Sequence, residues 1–177
     1  PAMLSPYAFH QFWLNAEDAK VVELLKVFTF LSRAEIEELA AQTEAEPFRR
    51  AGQKALADAV TTIVHGAQET ENAKAAAAAL FGGADLKELD AATLASALSE
   101  AGSIKAAAGT SYVDLLVESG LVKSRGDARR TISEGGAYLN NERVTDPELV
   151  PGPDDLVAGG WLVLRRGKRN LAGVQLG

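Results

Sequence analysis

The sequence contains no cysteine among its 177 residues, so disulfides and thiolate metal sites are excluded. Histidine is scarce. His10 and His65 are the only two and lie far apart, which leaves no basis for a histidine metal centre or a Ser/His/Asp arrangement. Only 6% of residues are aromatic although 47% are hydrophobic. Alanine supplies much of the difference, and a core built from it must come from closely packed helices. No stretch approaches the roughly 20 consecutive apolar residues of a membrane span. No secretory leader pattern opens the chain, and no glycine-rich phosphate loop occurs. Positive charge is not in excess either: 18 Lys and Arg stand against 24 Asp and Glu, a net charge of −6.

That total argues mildly against a nucleic-acid partner, but binding follows local potential rather than the sum. Residues 1–108 hold 9 basic and 15 acidic residues, whereas residues 109–177 hold 9 of each. The second stretch gathers its positive charge into two clusters, Lys123 to Arg130 and Arg165 to Arg169.

The first hundred residues read as helices. Ser5 caps a segment whose first position is Pro6, and Tyr7, Phe9, Phe12, Trp13 and Leu14 follow within two turns. Four aromatics there cover more than one face. They suit either an ordinary core helix or a helix with one face turned to another domain. Residues 17–31 repeat apolar positions at helical spacing, with Val21, Leu24, Leu25 and Phe28 on one side. Ser32 and Glu35 form a capping box for the next helix. Residues 48–65 predict a long helix with Leu56, Val60, Ile63 and Val64 on one side, stopped by Gly66. The alanine-rich stretch 69–81 predicts another, stopped by Gly82 and Gly83. One or two short helices are expected over 85–100. The acidic residues of 35–46 read as a solvated helix face. The small, polar stretch 102–109 reads as a linker, which divides the chain into an all-helical domain, 1–105, and a second domain, 106–177.

The second domain has another character. Ser111 with Asp114 and Ser124 with Asp127 are capping patterns for two short helices, ended by Gly120 and by Gly135–Gly136. Short strands are expected at 137–139 and 142–145 around an Asn140–Asn141 turn. Two more, at 161–164 and 170–176, flank the basic turn Arg165, Arg166, Gly167, Lys168, Arg169. Two helices on a small antiparallel sheet make this an α+β domain.

Arg125 and Arg129 are four residues apart, hence on one helix face and about 6 Å apart along the axis. That is close to the spacing of phosphates along a nucleic-acid strand. Arg130 flanks them, Lys123 precedes them, and Ala128 and Ile132 form the side that faces the core. A helix N-terminus adds partial positive charge and free N–H groups, and the guanidinium fork engages two phosphate oxygens at once. Tyr112 and Tyr138 read as core support rather than as stacking platforms. The bland alternative is a solvated face whose arginines pair with neighbouring carboxylates.

Residues 112–145, YVDLLVESGLVKSRGDARRTISEGGAYLNNERVT, resemble the S-four RNA-binding domain. The shared pattern is a leucine-rich helix, Ser-Arg, Ala-Arg-Arg, isoleucine, Gly-Gly, a short strand, an asparagine turn, a basic residue and valine. The resemblance implies contact with the backbone of structured RNA through Lys123, Arg125, Arg129, Arg130 and Arg143. The turn departs from the family at Asn141, where glycine is commoner. The stretches SPYAFHQFWLN (5–15), VFTFLSRAEIEEL (27–39), AGQKALADAVTTIVHG (51–66), KAAAAALFGG (74–83) and LRRGKRNLAGVQL (164–176) look like the C-terminal half of bacterial tyrosyl-tRNA synthetase, in the family's order. His10 departs from the aromatic residue expected at its place.

The resemblance implies a helical anticodon-binding domain followed by an S-four domain. It implies tyrosine tRNA as partner, gripped at the anticodon arm and the long variable arm. Arg165, Arg166, Lys168 and Arg169 join the expected RNA-binding set. The family's catalytic signatures, HIGH-like and KMSKS-like, do not occur in this chain, so the chain alone is expected to be inactive and to hold no cofactor. ATP with magnesium and tyrosine belong to the parent enzyme. The aromatics of residues 7–13 are expected to meet the catalytic domain. The parent is expected to be a cytoplasmic homodimer, and this chain by itself a monomer. The rival readings are a stand-alone S-four RNA-binding factor without enzymatic activity, and a helical protein-interaction module that binds no RNA.

Overall fold

The computed structural model describes residues 4–82 and 85–177. The chain divides into two compact units, Pro1–Lys74 and Ala75–Gly177.

The first unit is helical. Its elements are α1 (Pro6–Leu14), α2 (Asp18–Phe28), α3 (Arg33–Ala45), α4 (Ala51–His65) and the start of α5 (Ala67–Gly82). Ser5 Oγ caps α1 by accepting from the Ala8 amide at 3.1 Å. The Ser32/Glu35 box closes both ways at the head of α3: the Glu35 amide donates to Ser32 Oγ, and the Ser32 amide donates to Glu35 Oε2 at 2.7 Å. Val21, Leu25, Ile36, Leu56 and Val60 make the core. Two helices are shorter than their hydrophobic patterns. α2 stops at Phe28 because Thr29 is extended and its hydroxyl donates to the Leu25 carbonyl. α4 starts at Ala51, after a short 3₁₀ turn over Pro47–Arg49 and a left-handed Arg50 (φ 53°). Ile63 and Val64 continue the stripe of Leu56 and Val60 but stay half-exposed. His10 sits where the resemblance led us to expect an aromatic ring. It is buried, and its Nε2 donates to Asp58 Oδ1 at 2.7 Å.

The second unit opens with the end of α5. Ala76, Ala79 and Leu80 are fully buried there, as close helix packing requires. The expected stop at Gly82–Gly83 lies partly outside the described residues. A single helix follows, α6 (Ala91–Ala101), capped by Asp90. Then come β1 (Ser103–Ala106), α7 (Tyr112–Glu118), α8 (Arg125–Ser133), β2 (Ala137–Leu139), β3 (Glu142–Arg143), β4 (Trp161–Arg166) and β5 (Asn170–Leu176). The sheet order is β1-β5-β4-β2-β3.

The segment expected as a linker therefore contains a strand. β1 pairs parallel with β5, Ser103 beside Gly173 and Ala106 beside Leu176, so the sheet is mixed rather than antiparallel throughout. Its sequence hid this because an edge strand buries little: of its four residues only Ala106 is buried. α6 packs closely on β5, where a Cβ on Gly173 would lie 2.9 Å from Leu98 Cβ. On the opposite face of the sheet, α7 and α8 bury Leu115, Leu116, Ala128 and Ile132 against Ala137, Leu139, Leu162, Leu164 and Val174. Tyr112 is fully buried and its hydroxyl donates to the Tyr138 carbonyl at 2.9 Å, with burial pushing its ionisation well above the ordinary tyrosine value. Among the described residues no helix is long and apolar enough to cross a membrane.

Candidate nucleic-acid interface

α8 begins where the capping pattern placed it: Ser124 Oγ accepts from the Asp127 amide at 3.2 Å. Ala128, Thr131 and Ile132 are buried, so Arg125, Arg129 and Arg130 are turned outward. Their side chains are 69%, 57% and 66% exposed. Each also has a carboxylate. Arg125 Nε donates to Asp114 Oδ1 at 2.5 Å, Arg130 Nη2 to Asp127 Oδ1 at 2.6 Å, and Arg129 Nη2 lies 3.7 Å from Glu148 Oε1. The Ser111 hydroxyl and then Arg125 hold the Asp114 carboxyl below its ordinary value; Arg130 and the Lys123 amide do the same for Asp127. Both carboxylates are thus anionic at neutral pH. Pairs so exposed are screened by solvent and hold weakly, which leaves room for a phosphate to compete.

The other basic residues fall in three places. Arg166, at the end of β4, lies on the α8 side of the sheet: its Nη1 donates to the Leu121 carbonyl at 2.9 Å, and its Nη2 is 3.8 Å from Asp127 Oδ2. Lys123, just before α8, is exposed. Lys168 and Arg169 are exposed in the β4–β5 turn, where Gly167 takes φ 63° and its amide donates to the Gly136 carbonyl at 2.8 Å. Arg143 and Arg165 lie on the other face. Register places Arg143 of β3 and Arg165 of β4 on either side of Tyr138 of β2.

Tyr138 is therefore not part of the core that buries Tyr112. It alternates with the buried Ala137 and Leu139 and points to the opposite face. The Arg165 guanidinium sits 4.3 Å from the Tyr138 ring centroid, and that of Arg143 5.8 Å from it. Arg143 Nη2 donates to the phenol oxygen at 3.4 Å. This hydrogen bond, then the charges of Arg143 and Arg165, pull the Tyr138 ionisation below its ordinary value. Strand alternation puts Tyr138 on the face opposite its buried neighbours Ala137 and Leu139, once the pairing of β2 shows which face is covered.

The hairpin turn that sets this register uses left-handed Asn140 (φ 50°) and Asn141 (φ 69°), the geometry of a tight two-residue hairpin. Asparagine in place of the family's glycine has a structural use: Asn141 Nδ2 donates to the Ala79 carbonyl at 2.8 Å.

The family model described as "Tyrosine--tRNA ligase SYY-like C-terminal domain" matches residues 93–174, which hold every basic residue just described. The model described as "tRNA synthetases class I (W and Y)" matches residues 1–82. The chain belongs to the tyrosine–tRNA ligase family, and it matches the C-terminal part. The tyrosine–tRNA ligase of Streptomyces avermitilis is 55% identical over 99% of this chain, which spans 42% of that protein. The ligase of Corynebacterium jeikeium is 51% identical over 100% of this chain, which spans 41% of that protein. The ligase of Kineococcus radiotolerans is 51% identical over 98% of this chain and 42% of its own length. The chain thus spans less than half the length of these ligase relatives. Among the described residues no group of three or more His, Asp or Glu could hold a metal ion.

Proposed function

We propose that this chain is the tRNA-binding part of a tyrosine–tRNA ligase, positioning tyrosine tRNA by its anticodon arm and long variable arm. The observation that carries the reading is the set of exposed arginines and lysines on α8, β3 and the β4–β5 turn, with half-buried Arg165 and Arg166 beside them, within the segment that matches the ligase C-terminal domain. The parent reaction in this reading is attachment of tyrosine to its tRNA with ATP and magnesium. No residue of this chain is assigned a chemical step in it.

The proposed division of labour differs from the division by compactness. α6 and β1 belong to the compact unit of the sheet, but the proposed RNA contacts all lie in 106–177: Lys123, Arg125, Arg129, Arg130, Arg143, Arg165, Arg166, Lys168 and Arg169. Residues 1–105 take the anticodon role in this proposal. The catalytic domain of the parent would lie against α1, where Phe12 is 63% exposed and stacks edge-on with Trp13 at 5.5 Å, Trp13 in turn lying 5.1 Å from Phe28.

Filter binding across a salt series tests the reading. If about five phosphates are neutralised, log K should fall against log salt with a slope of roughly −3.5 to −4.5. Tyrosine tRNA should bind more tightly than a tRNA with a short variable arm. Flat salt dependence, or equal affinity for both RNAs, would refute it.

A further inference from the structure

Two sets of arginines differ in how their charge is used. Arg125, Arg129 and Arg130 each have a carboxylate within ion-pair distance, and Arg166 shares Asp127. Three positive charges on α8 are thereby matched by Asp114, Asp127 and Glu148. An incoming phosphate must displace those carboxylates and remain beside them. Arg143 and Arg165 have no carboxylate partner among the described residues. They flank one phenol across three adjacent strands, and Lys168 and Arg169, equally without an ion-pair partner among the described residues, occupy the turn that follows Arg165.

We propose that Arg143, Tyr138 and Arg165, aligned across β3, β2 and β4 on the sheet face away from α7 and α8, form the principal phosphate seat of this unit, and that the α8 arginines are secondary. The proposal rests on the tRNA-binding reading and states where its strongest contact lies. Counterion release follows uncompensated charge, which favours the row over the helix. The row is also preorganised. The Arg165 guanidinium carbon lies over the ring, 4.3 Å from its centroid, and its Nε is buried without a hydrogen-bond partner among the described residues. Its terminal nitrogens therefore carry its remaining donors. Tyr138 accepts from Arg143, so its own hydroxyl proton is free to be donated to a phosphate oxygen. Two guanidinium groups and a phenol on a rigid sheet lose less freedom on binding than long side chains on an open helix.

The test is filter binding of tyrosine tRNA to the whole chain and to single variants at several salt concentrations. Arg143→Gln and Arg165→Gln should each weaken binding about tenfold and reduce the salt slope by about one unit. Tyr138→Phe, which keeps the ring and removes only the hydroxyl, should weaken it about threefold with the slope unchanged. Arg129→Gln should cost about twofold and alter the slope by less than about half a unit. Arg165→Lys separates charge from planar stacking: it should restore the slope but recover only part of the affinity. Thermal melts of each variant show whether it folds, and Tyr138→Phe keeps the test open should an arginine variant fail to fold. Loss at Arg129 equal to or greater than that at Arg165 would overturn the proposal and leave the tRNA reading standing. Wild-type binding that is indifferent to salt would remove both.

Discussion

The helical unit and the sheet unit finish their surfaces in opposite ways. In the first, polar groups are drawn inside: His10 is buried on Asp58, which also lies 3.3 Å from Lys74 Nζ. Large rings are left outside, with Phe30 92% exposed and Phe12, Phe28 and Phe48 also in water. In the second, Tyr112 and Trp161 are closed in and the guanidinium groups are left outside. Exposed aromatic surface suits a protein partner, whereas exposed guanidinium suits an anionic polymer. One chain thus offers two chemically distinct surfaces, and each can be attacked separately.

The largest effect should come from the sheet core. Leu162 is fully buried between the central strand and the α7–α8 layer. Leu162→Ala should destabilise this unit by about 2 to 5 kcal/mol. The two tryptophans let the units be read apart: Trp161 reports the sheet in a Trp13→Phe background, and Trp13 reports the helices in a Trp161→Phe background. Urea unfolding should show a large shift by the first probe and a small one by the second. Equal shifts would mean that the units unfold together, and the comparison would lose its thermodynamic meaning.

A smaller effect is expected at Asp58, and it depends on pH. Burial raises its ionisation, but hydrogen bonds from His10 and Lys74 outweigh burial and hold the carboxyl below its ordinary value of 3.8. A depressed folded-state value stabilises the fold above the unfolded-state value, and that stability is lost as pH falls through the folded-state value. Asp58→Asn should therefore cost about 1 to 2 kcal/mol at pH 7, the partial exposure of the pair keeping it at the lower end of such interactions. The difference from wild type should shrink below about pH 4. Urea titrations followed through Trp13 at pH 7 and pH 3.5 measure both. A cost that is the same at both pH values would show that the carboxylate charge is not what holds His10.

Where sequence reasoning succeeded, the signal was local. Ser5, the Ser32/Glu35 box, Ser111 with Asp114 and Ser124 with Asp127 all cap as expected, because a cap is made within three or four residues. The Asn140–Asn141 turn belongs to the same class. Where it fell short, the deciding contact came from elsewhere in the chain. β1 is a strand because β5 lies beside it, not because Ser-Ile-Lys-Ala demands one. The arginines were recognisable as a cluster, and Asp127 lies within one turn of Arg130, but the other two carboxylates were not legible: Asp114 is 11 residues from Arg125, and Glu148 comes from the loop after β3. Tyr138 reads as core in the sequence because three residues are too few to show which face a strand buries. Its role beside Arg143 and Arg165 is set by register across three strands, which only pairing reveals.

The smallest expected effect is the sharpest test of the exposed aromatic surface. Phe30 is already in water in the folded chain, so replacing it removes no buried area. Phe30→Ser should change the stability of the helical unit by no more than about 0.5 kcal/mol. That small effect requires that nothing covers the ring in solution. Were a second copy of the chain seated on Phe12, Phe28 and Phe30, the ring would be buried in the associated state, and stability would rise with protein concentration. Urea midpoints for wild type and Phe30→Ser, measured over a hundredfold range of concentration, therefore decide between an open surface and a closed one. Midpoints that coincide and do not move with concentration leave the rings available for a different protein. A wild-type midpoint that climbs with concentration, and a variant that does not, would place a second copy there instead.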